Sequence, residues 1–109
     1  MFLIVTRNFP PDVGGMQVLM GGLSEGLVNH GPVKVFAFEY PNSEKYDKNS
    51  LINIERIKGL KLFKKYRKAN LVNDFMSQNQ NIRAIIVDHW KSLELLKENY
   101  LNKFKTICL

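Results

Sequence analysis

Short apolar runs alternate with longer amphipathic segments along this chain, and that alternation limits the folds open to it. Met1–Val5 is a run of five apolar residues, the pattern of a strand buried on both faces of a parallel sheet. The loop Thr6–Gly15 follows, and apolar residues then recur at helical spacing from Met16 onward. Strands that alternate with helices predict βαβ units with right-handed crossovers.

The same reasoning extends to the rest of the chain. The predicted strands cover residues 1–6, 33–38, 52–57, 83–87 and 104–109. The predicted helices cover about 15–29, 60–77 and 91–99, with a surface loop over 40–50. We therefore predict a single α/β domain over residues 1–109: a Rossmann-like, doubly wound, mostly parallel sheet of about five strands with about three helices. We expect the sheet to be incomplete at the C-terminus, and the open edge near Leu109 predicts self-association.

Charge and composition narrow the partners. Sixteen Lys and Arg residues against ten Asp and Glu give a formal net charge of +6, which either favours an anionic partner or serves solubility. The single cysteine, Cys108, excludes an internal disulfide, and we expect it to be a buried, inert thiol. His30 and His89 lie far apart without metal-ligand spacing, so no metal is expected. No apolar run is long enough to span a membrane and no signal peptide is present, so we expect a cytoplasmic protein.

The first loop has the composition of an anion site. Gly14 and Gly15 lie where a strand passes into a helix, so backbone N–H groups and the positive end of the helix dipole would face a phosphate. The alternative is a tight turn that requires glycine. Asp12 is expected to cap the helix, and Arg7 either meets a phosphate or lies on the surface. Glu39 occupies the position of a ribose-binding acid, but a dinucleotide site is excluded because no G-x-G-x-x-G fingerprint precedes it.

Ligands of doubly wound sheets bind at the carboxyl ends of the strands. In this chain those ends are the loop 7–15, the region after Phe38, and the segment Asp88–Trp90. His89 either hydrogen-bonds a ligand or packs on its neighbours, and Trp90 is expected to be a core or rim residue.

A basic segment spans Arg56 to Lys68, with seven basic residues, no acidic residue, and interleaved apolar side chains. It is either the solvated face of a packed helix or a surface that docks on an anionic membrane. For a cytoplasmic protein, such docking would be peripheral and at the inner face of the membrane. The candidate membrane-contact residues are Lys61, Lys64, Lys65, Arg67 and Lys68. No nucleic-acid-binding motif accompanies the charge, so nucleic acid is not an expected partner.

Three motifs together resemble the N-terminal domain of the retaining GT-B glycosyltransferases of the "group 1" type. They are Phe9-Pro10-Pro11-x-x-Gly14-Gly15, Gly31-Pro32-Val33 entering the second strand, and Ile85-Ile86-Val87-Asp88-His89-Trp90. The first two enclose a Leu- and Met-rich helix, and the motifs with that helix cover roughly half of the chain.

The resemblance implies transfer of a hexosyl group from a UDP- or GDP-sugar to a hydroxyl of a glycan or lipid-linked acceptor, without a cofactor or essential metal. It implies that Gly14 and Gly15 approach the donor phosphates, and that Asp88, His89 and Trp90 line the acceptor side of the cleft, where we also place Arg7. Because the family's C-terminal donor-binding domain is missing, we expect a truncated fragment that is inactive alone. A free-standing phosphate- or nucleotide-binding or interaction module without catalysis is the alternative.

Overall fold

The computed structural model describes all 109 residues, Met1–Leu109. Its five strands form one sheet in the order β3-β2-β1-β4-β5, and every neighbouring pair is parallel. The strands are β1 Phe2–Val5, β2 Val33–Phe38, β3 Asn53–Ile57, β4 Ala84–Val87 and β5 Thr106–Cys108. The helices are α1 Gly15–Leu27, α2 Ser43–Lys48, α3 Lys61–Gln78 and α4 Glu98–Leu101. The predicted Rossmann-like α/β fold is therefore confirmed.

Alternating side chains of the central strands build a core on each face of the sheet. On one face, Leu3 and Val5 of β1 pack with Val72 and Met76 of α3. On the other face, Ile4 packs with Met20 of α1. Helices therefore cover both sides of the sheet, which is why β1, β2 and β4 are apolar on both faces.

Two predicted segments differ from the structure. Residues 40–50 are not only loop, because they contain α2. The predicted helix 91–99 is instead a 3-10 turn over Trp90–Leu93 followed by the short α4. Leu95, at a φ of 67°, interrupts the helical path and is half exposed.

A buried amide explains why the chain breaks at Leu95. The Asn73 side chain donates to the Leu95 carbonyl at 3.1 Å and accepts from the Lys97 N–H at 2.9 Å. Both backbone groups thereby have hydrogen-bond partners outside a helix, so ending the helical path here does not cost the free energy of an unpaired backbone group. Leu96, in contrast, is buried in the core as its predicted helix face required.

The last strand corrects one expectation about burial. Thr106, Ile107 and Cys108 are all exposed, so Cys108 is an accessible thiol rather than a buried one. The cause is position: β5 pairs only with β4, at the margin of the sheet. No helix of the chain combines the length and the hydrophobicity that crossing a membrane requires.

Candidate functional site

The ends of β1 and β4 meet at the carboxyl edge of the sheet. The Arg7 N–H donates to Asp88 Oδ2 at 3.2 Å, and Arg7 Nε lies 3.9 Å from the same oxygen. Asp88 Oδ1 accepts from Ser92 Oγ at 2.6 Å. Asp88 is buried, and both of its carboxylate oxygens are engaged. It therefore lies beneath the cleft as the residue that holds Arg7, rather than as a free base.

The Arg7 guanidinium is incompletely satisfied. Its Nε atom is buried and has no hydrogen-bond partner, because 3.9 Å is ion-pair range but too long for a hydrogen bond. The side chain as a whole is about one-third exposed, so it reaches from beneath the sheet edge toward solvent. A buried donor without a partner is uncommon in proteins and needs an explanation.

A cleft of about 580 Å³ opens beside Arg7, and we call it the basic cleft. Its walls include Phe38 and Leu62, and Glu94 is its single carboxylate. The cationic residues that line it are Arg7, Lys61, Lys64, Lys65, Lys68 and Lys91. Six cations against one carboxylate make this the most strongly charged cavity of the molecule.

Lys68 is the deepest of these cations. Its residue is only 2% exposed, and no carboxylate oxygen lies within 4.0 Å of its ammonium. Burial lowers the pKa of Lys68; the charges of Asp88 and Glu94 oppose that shift, and the charge of Arg7 adds to it. The chain thus keeps a desolvated cation at the floor of an open cleft.

Phe38 lies close to two of the cleft lysines. The ammonium groups of Lys64 and Lys68 each lie 5.5 Å from its ring centroid. Lys64 also pairs with Glu39 at 3.4 Å, which leaves Lys68 as the unpaired member. Glu39 therefore forms an ion pair at the end of β2.

The first loop places Gly14 and Gly15 at the start of α1. Helix α1 begins at Gly15, and its first bond runs from the Val18 N–H to the Gly14 carbonyl at 3.0 Å. No side chain caps this end. The expected capping role of Asp12 is wrong, because its two oxygens accept from the Val13 N–H and the Gln17 side chain. The amides of the first helical turn therefore remain open to an external acceptor.

Gly15 leaves room for such an acceptor. It is exposed, and a Cβ atom built there would have no heavy atom within 4 Å. Gly14 differs, since a Cβ there would meet the Gln17 side chain.

Arg56 anchors this loop, a role that the sequence did not reveal. Its guanidinium donates to the Pro10 carbonyl at 2.6 Å and to both Asp47 oxygens at 2.8 and 3.0 Å. A signal was available: Arg56 shares a strand face with Ile54, and a charge on an apolar face needs a buried partner. Arg56 was instead counted only within the basic segment.

His89 and Trp90 form the rim on the β4 side. His89 Nδ1 accepts from the Lys91 N–H at 3.2 Å and so begins the 3-10 turn. The His89 and Trp90 rings lie 5.5 Å apart, and Trp90 is exposed as a rim residue. Neither side chain lines the basic cleft, but the ammonium of the cleft residue Lys91 lies 5.9 Å from the Trp90 ring centroid.

The predicted membrane-contact residues divide between two environments. Lys68 lies inside the basic cleft, and the Arg67 guanidinium donates to the Lys58 carbonyl at 2.6 Å. Lys61, Lys64 and Lys65 also line the cleft, at its more exposed rim. Leu62 and Phe63 between them are exposed, Leu62 by 80%.

No cluster of three or more His, Cys, Asp or Glu side chains is placed to hold a metal ion. Comparison with protein-family models, curated proteins and solved structures gave no match to the chain.

Proposed function

We propose that the chain is the acceptor-side, N-terminal domain of a retaining GT-B glycosyltransferase. In this proposal it helps transfer a hexosyl group from a UDP- or GDP-sugar to a hydroxyl of a glycan or lipid-linked acceptor. The Arg7–Asp88 contact carries the proposal, because it joins the ends of β1 and β4, 81 residues apart. The loop that carries the first family-like motif thus meets the third motif at the edge where doubly wound sheets bind ligands.

The first loop supports a role toward the donor. The leaving group of a sugar nucleotide is a nucleoside diphosphate, on which negative charge grows as the glycosidic bond breaks. The uncapped amides at Gly15 offer hydrogen bonds and a positive helix end to that charge. The engaged Asp88 carboxylate positions Arg7, so we assign it no proton-transfer step.

Tryptophan fluorescence tests the proposal, because Trp90 is the single tryptophan, is exposed, and lies 5.9 Å from the ammonium of the cleft residue Lys91. We expect UDP-glucose or GDP-mannose to change its emission, and UDP or pyrophosphate to change it less because they lack the sugar. Amide chemical shifts of Gly15 should move with all four ligands. Equal responses at Trp90 to pyrophosphate and to sugar nucleotides would favour the non-catalytic phosphate-binding module. Absence of any response at millimolar ligand would refute both functions.

A charge placed at Gly15 gives the test a matched control. Gly15→Asp puts a carboxylate at a helix N-terminus, which favours the helix by about 0.3–1 kcal/mol but repels a phosphate. We expect unchanged or higher stability together with lost nucleotide binding. Gly22→Asp adds the same charge at an exposed position of the same helix with open space around it, and should retain binding. Equal loss in both variants would show that net charge alone drives binding.

Contact with an anionic membrane is a second candidate function, favoured by one observation. Leu62 and Phe63 project from α3 beside Lys61 and Lys65, so apolar and cationic side chains share one exposed patch. We expect the chain to cosediment with phosphatidylserine vesicles, and Leu62→Ser with Phe63→Ser to reduce that binding. Leu51→Ser is the control, since Leu51 is 91% exposed but lies outside the basic segment. Equal binding by all three proteins would refute the contact.

A further inference from the structure

The basic cleft holds one cation, Lys68, that no carboxylate of the folded chain pairs with, and a second, Arg7, whose ion pair with Asp88 leaves its Nε atom without a hydrogen bond. The Arg7 Nε atom is buried without a hydrogen-bond partner, and Lys68 is 2% exposed without a carboxylate within 4.0 Å. Asp88, the nearest buried carboxylate to Arg7, is already bound to the Arg7 N–H and to Ser92. Burying an ammonium without a carboxylate partner and a guanidinium N–H without an acceptor is costly, so their retention at an open cavity indicates a ligand that supplies negative charge and an acceptor oxygen.

We propose that the basic cleft binds the phosphate group of a phosphomonoester, as a site separate from the first turn of α1. The claim of phosphate binding depends on the cleft alone. Its interpretation as the phosphate of a phosphorylated acceptor rests on the proposed transferase function. The acceptor would then carry its reactive hydroxyl on the body attached to this phosphate.

The number and type of cations favour a phosphomonoester over a carboxylate. A phosphomonoester carries close to two negative charges at neutral pH and three oxygens that accept hydrogen bonds. Arg7 and Lys68 approach from the floor of the cleft, while Lys65 and Lys91 stand on its walls. Lys64 contributes less, because Glu39 already pairs with it. A carboxylate with a single charge would leave this floor under-neutralised.

The walls favour a ligand larger than inorganic phosphate. Phe38 and Leu62 give the cleft an apolar side, and its volume of about 580 Å³ exceeds what one phosphate fills. The Phe38 ring has two ammonium groups within 5.5 Å of its centroid, so its surroundings suit a polar body with an apolar face, such as a sugar ring. A soluble sugar phosphate and a phosphorylated lipid headgroup both have this chemistry.

Calorimetric titration at about 0.15 M salt tests the site, since screening then suppresses nonspecific attraction. The probes are glucose 1-phosphate, inorganic phosphate and uncharged glucose. We expect glucose 1-phosphate to bind most tightly and glucose not to bind. Vesicles of phosphatidylcholine with phosphatidic acid test the lipid source in a separate arm. Competition by glucose 1-phosphate against those vesicles would show that both ligands occupy one site. Vesicle binding without competition would instead assign the lipid contact to the exposed patch of Leu62 and Phe63 on α3.

Lys68→Met is the decisive variant, because it keeps the buried stem and removes only the charge. We expect glucose 1-phosphate affinity to fall by about tenfold or more. The variant should be at least as stable as the parent, since an unpaired buried ammonium is lost. A lysine with a purely structural role would give the opposite result for stability. Arg7→Gln provides an independent second variant, with the same expected loss of affinity.

Lys48→Met is the matched control, since Lys48 is exposed and lies on α2 away from the cleft. It removes the same net charge and should leave affinity within about twofold. Equal losses in Lys68→Met and Lys48→Met, or no binding by the parent at millimolar glucose 1-phosphate, would overturn the site. Gly15→Asp separates the two proposals: it should abolish the sugar-nucleotide response and retain glucose 1-phosphate binding. A parent chain that binds glucose 1-phosphate but no sugar nucleotide would refute the proposed transferase function and leave the phosphate site standing.

Discussion

Replacing Arg56 with methionine should destabilise the chain, because it removes a buried charge that holds separate segments together. The Arg56 side chain is only 5% exposed and ties together three segments. It forms a two-pronged pair with Asp47 of α2 and donates to the Pro10 carbonyl of the first loop. It also lies 5.8 Å from the Phe9 ring and 3.3 Å from the Phe38 carbonyl.

The expected cost follows from these contacts. Removing one partner of a buried ion pair costs about 3–5 kcal/mol, because the other charge is left unpaired. Asp47 is partly exposed and can regain water, so the low end applies, about 3 kcal/mol. Arg56→Lys keeps the charge but not the two-pronged geometry, and should cost about 1–2 kcal/mol.

Urea unfolding followed by circular dichroism measures these differences. A loss of about 3 kcal/mol lowers the unfolding midpoint by about 1–3 M urea for a small domain. The control is Arg83→Met, in which an exposed arginine loses one bond to the His30 carbonyl. We expect it to remain within about 0.5 kcal/mol of the parent.

A double variant isolates the pair itself. Arg56→Met with Asp47→Leu should be more stable than the sum of the two single losses predicts, with a coupling of about 1–3 kcal/mol. If Arg56→Met falls within about 0.5 kcal/mol of the parent, as expected for Arg83→Met, the anchoring role is refuted.

Two further predictions concern packing and pH. Gly21→Ala should destabilise α1, because its Cβ would lie 2.6 Å from Pro10 Cγ. Gly22→Ala has open space around it and should stabilise the chain by about 0.5–1 kcal/mol. Thermal unfolding of the two variants checks that their stability changes are opposite in sign. The pKa of Lys68 is lowered from 10.5 in the folded chain, so between the folded pKa and 10.5 the unfolded chain binds more protons than the folded chain does. The destabilisation caused by the Lys68 charge should therefore weaken as pH rises through that window. The difference in unfolding free energy between the parent and Lys68→Met should therefore shrink with rising pH, and a constant difference would contradict the buried cation.

The sheet was predictable because its signal is local. Runs such as Ile85–Val87 can be buried on both faces only in a parallel sheet with helices on each side. The approach of Arg7 to the segment after β4 followed from the rule for carboxyl ends, without any knowledge of the side-chain contacts. Hydrogen bonds between polar groups that are distant in sequence were not predictable in this way. The break at Leu95 is one example, because it depends on a hydrogen bond from Asn73, 22 residues away.

Lys68 shows where the sequence contained more than was inferred. It lies four residues before Val72 and eight before Met76, on the helix face that those residues bury. A lysine on a buried helix face indicates an internal charge, but the basic residues around it suggested a solvated surface. Position on the helix was therefore more informative than local charge density.

The central place of β1 has a consequence for the order in which the molecule assembles. β1 lies between β2 and β4, so the strand nearest the N-terminus is completed by one of the last strands of the chain. The β1–β2 pair requires closure of a loop of about 30 residues, whereas Arg7 reaches Asp88 across 81 residues. Because distant contacts form late, a partly folded chain can hold α1 against β1 and β2 with Asp88 and the Lys91 wall of the cleft still missing. During synthesis, ligand binding would accordingly begin only after β4 has left the ribosome.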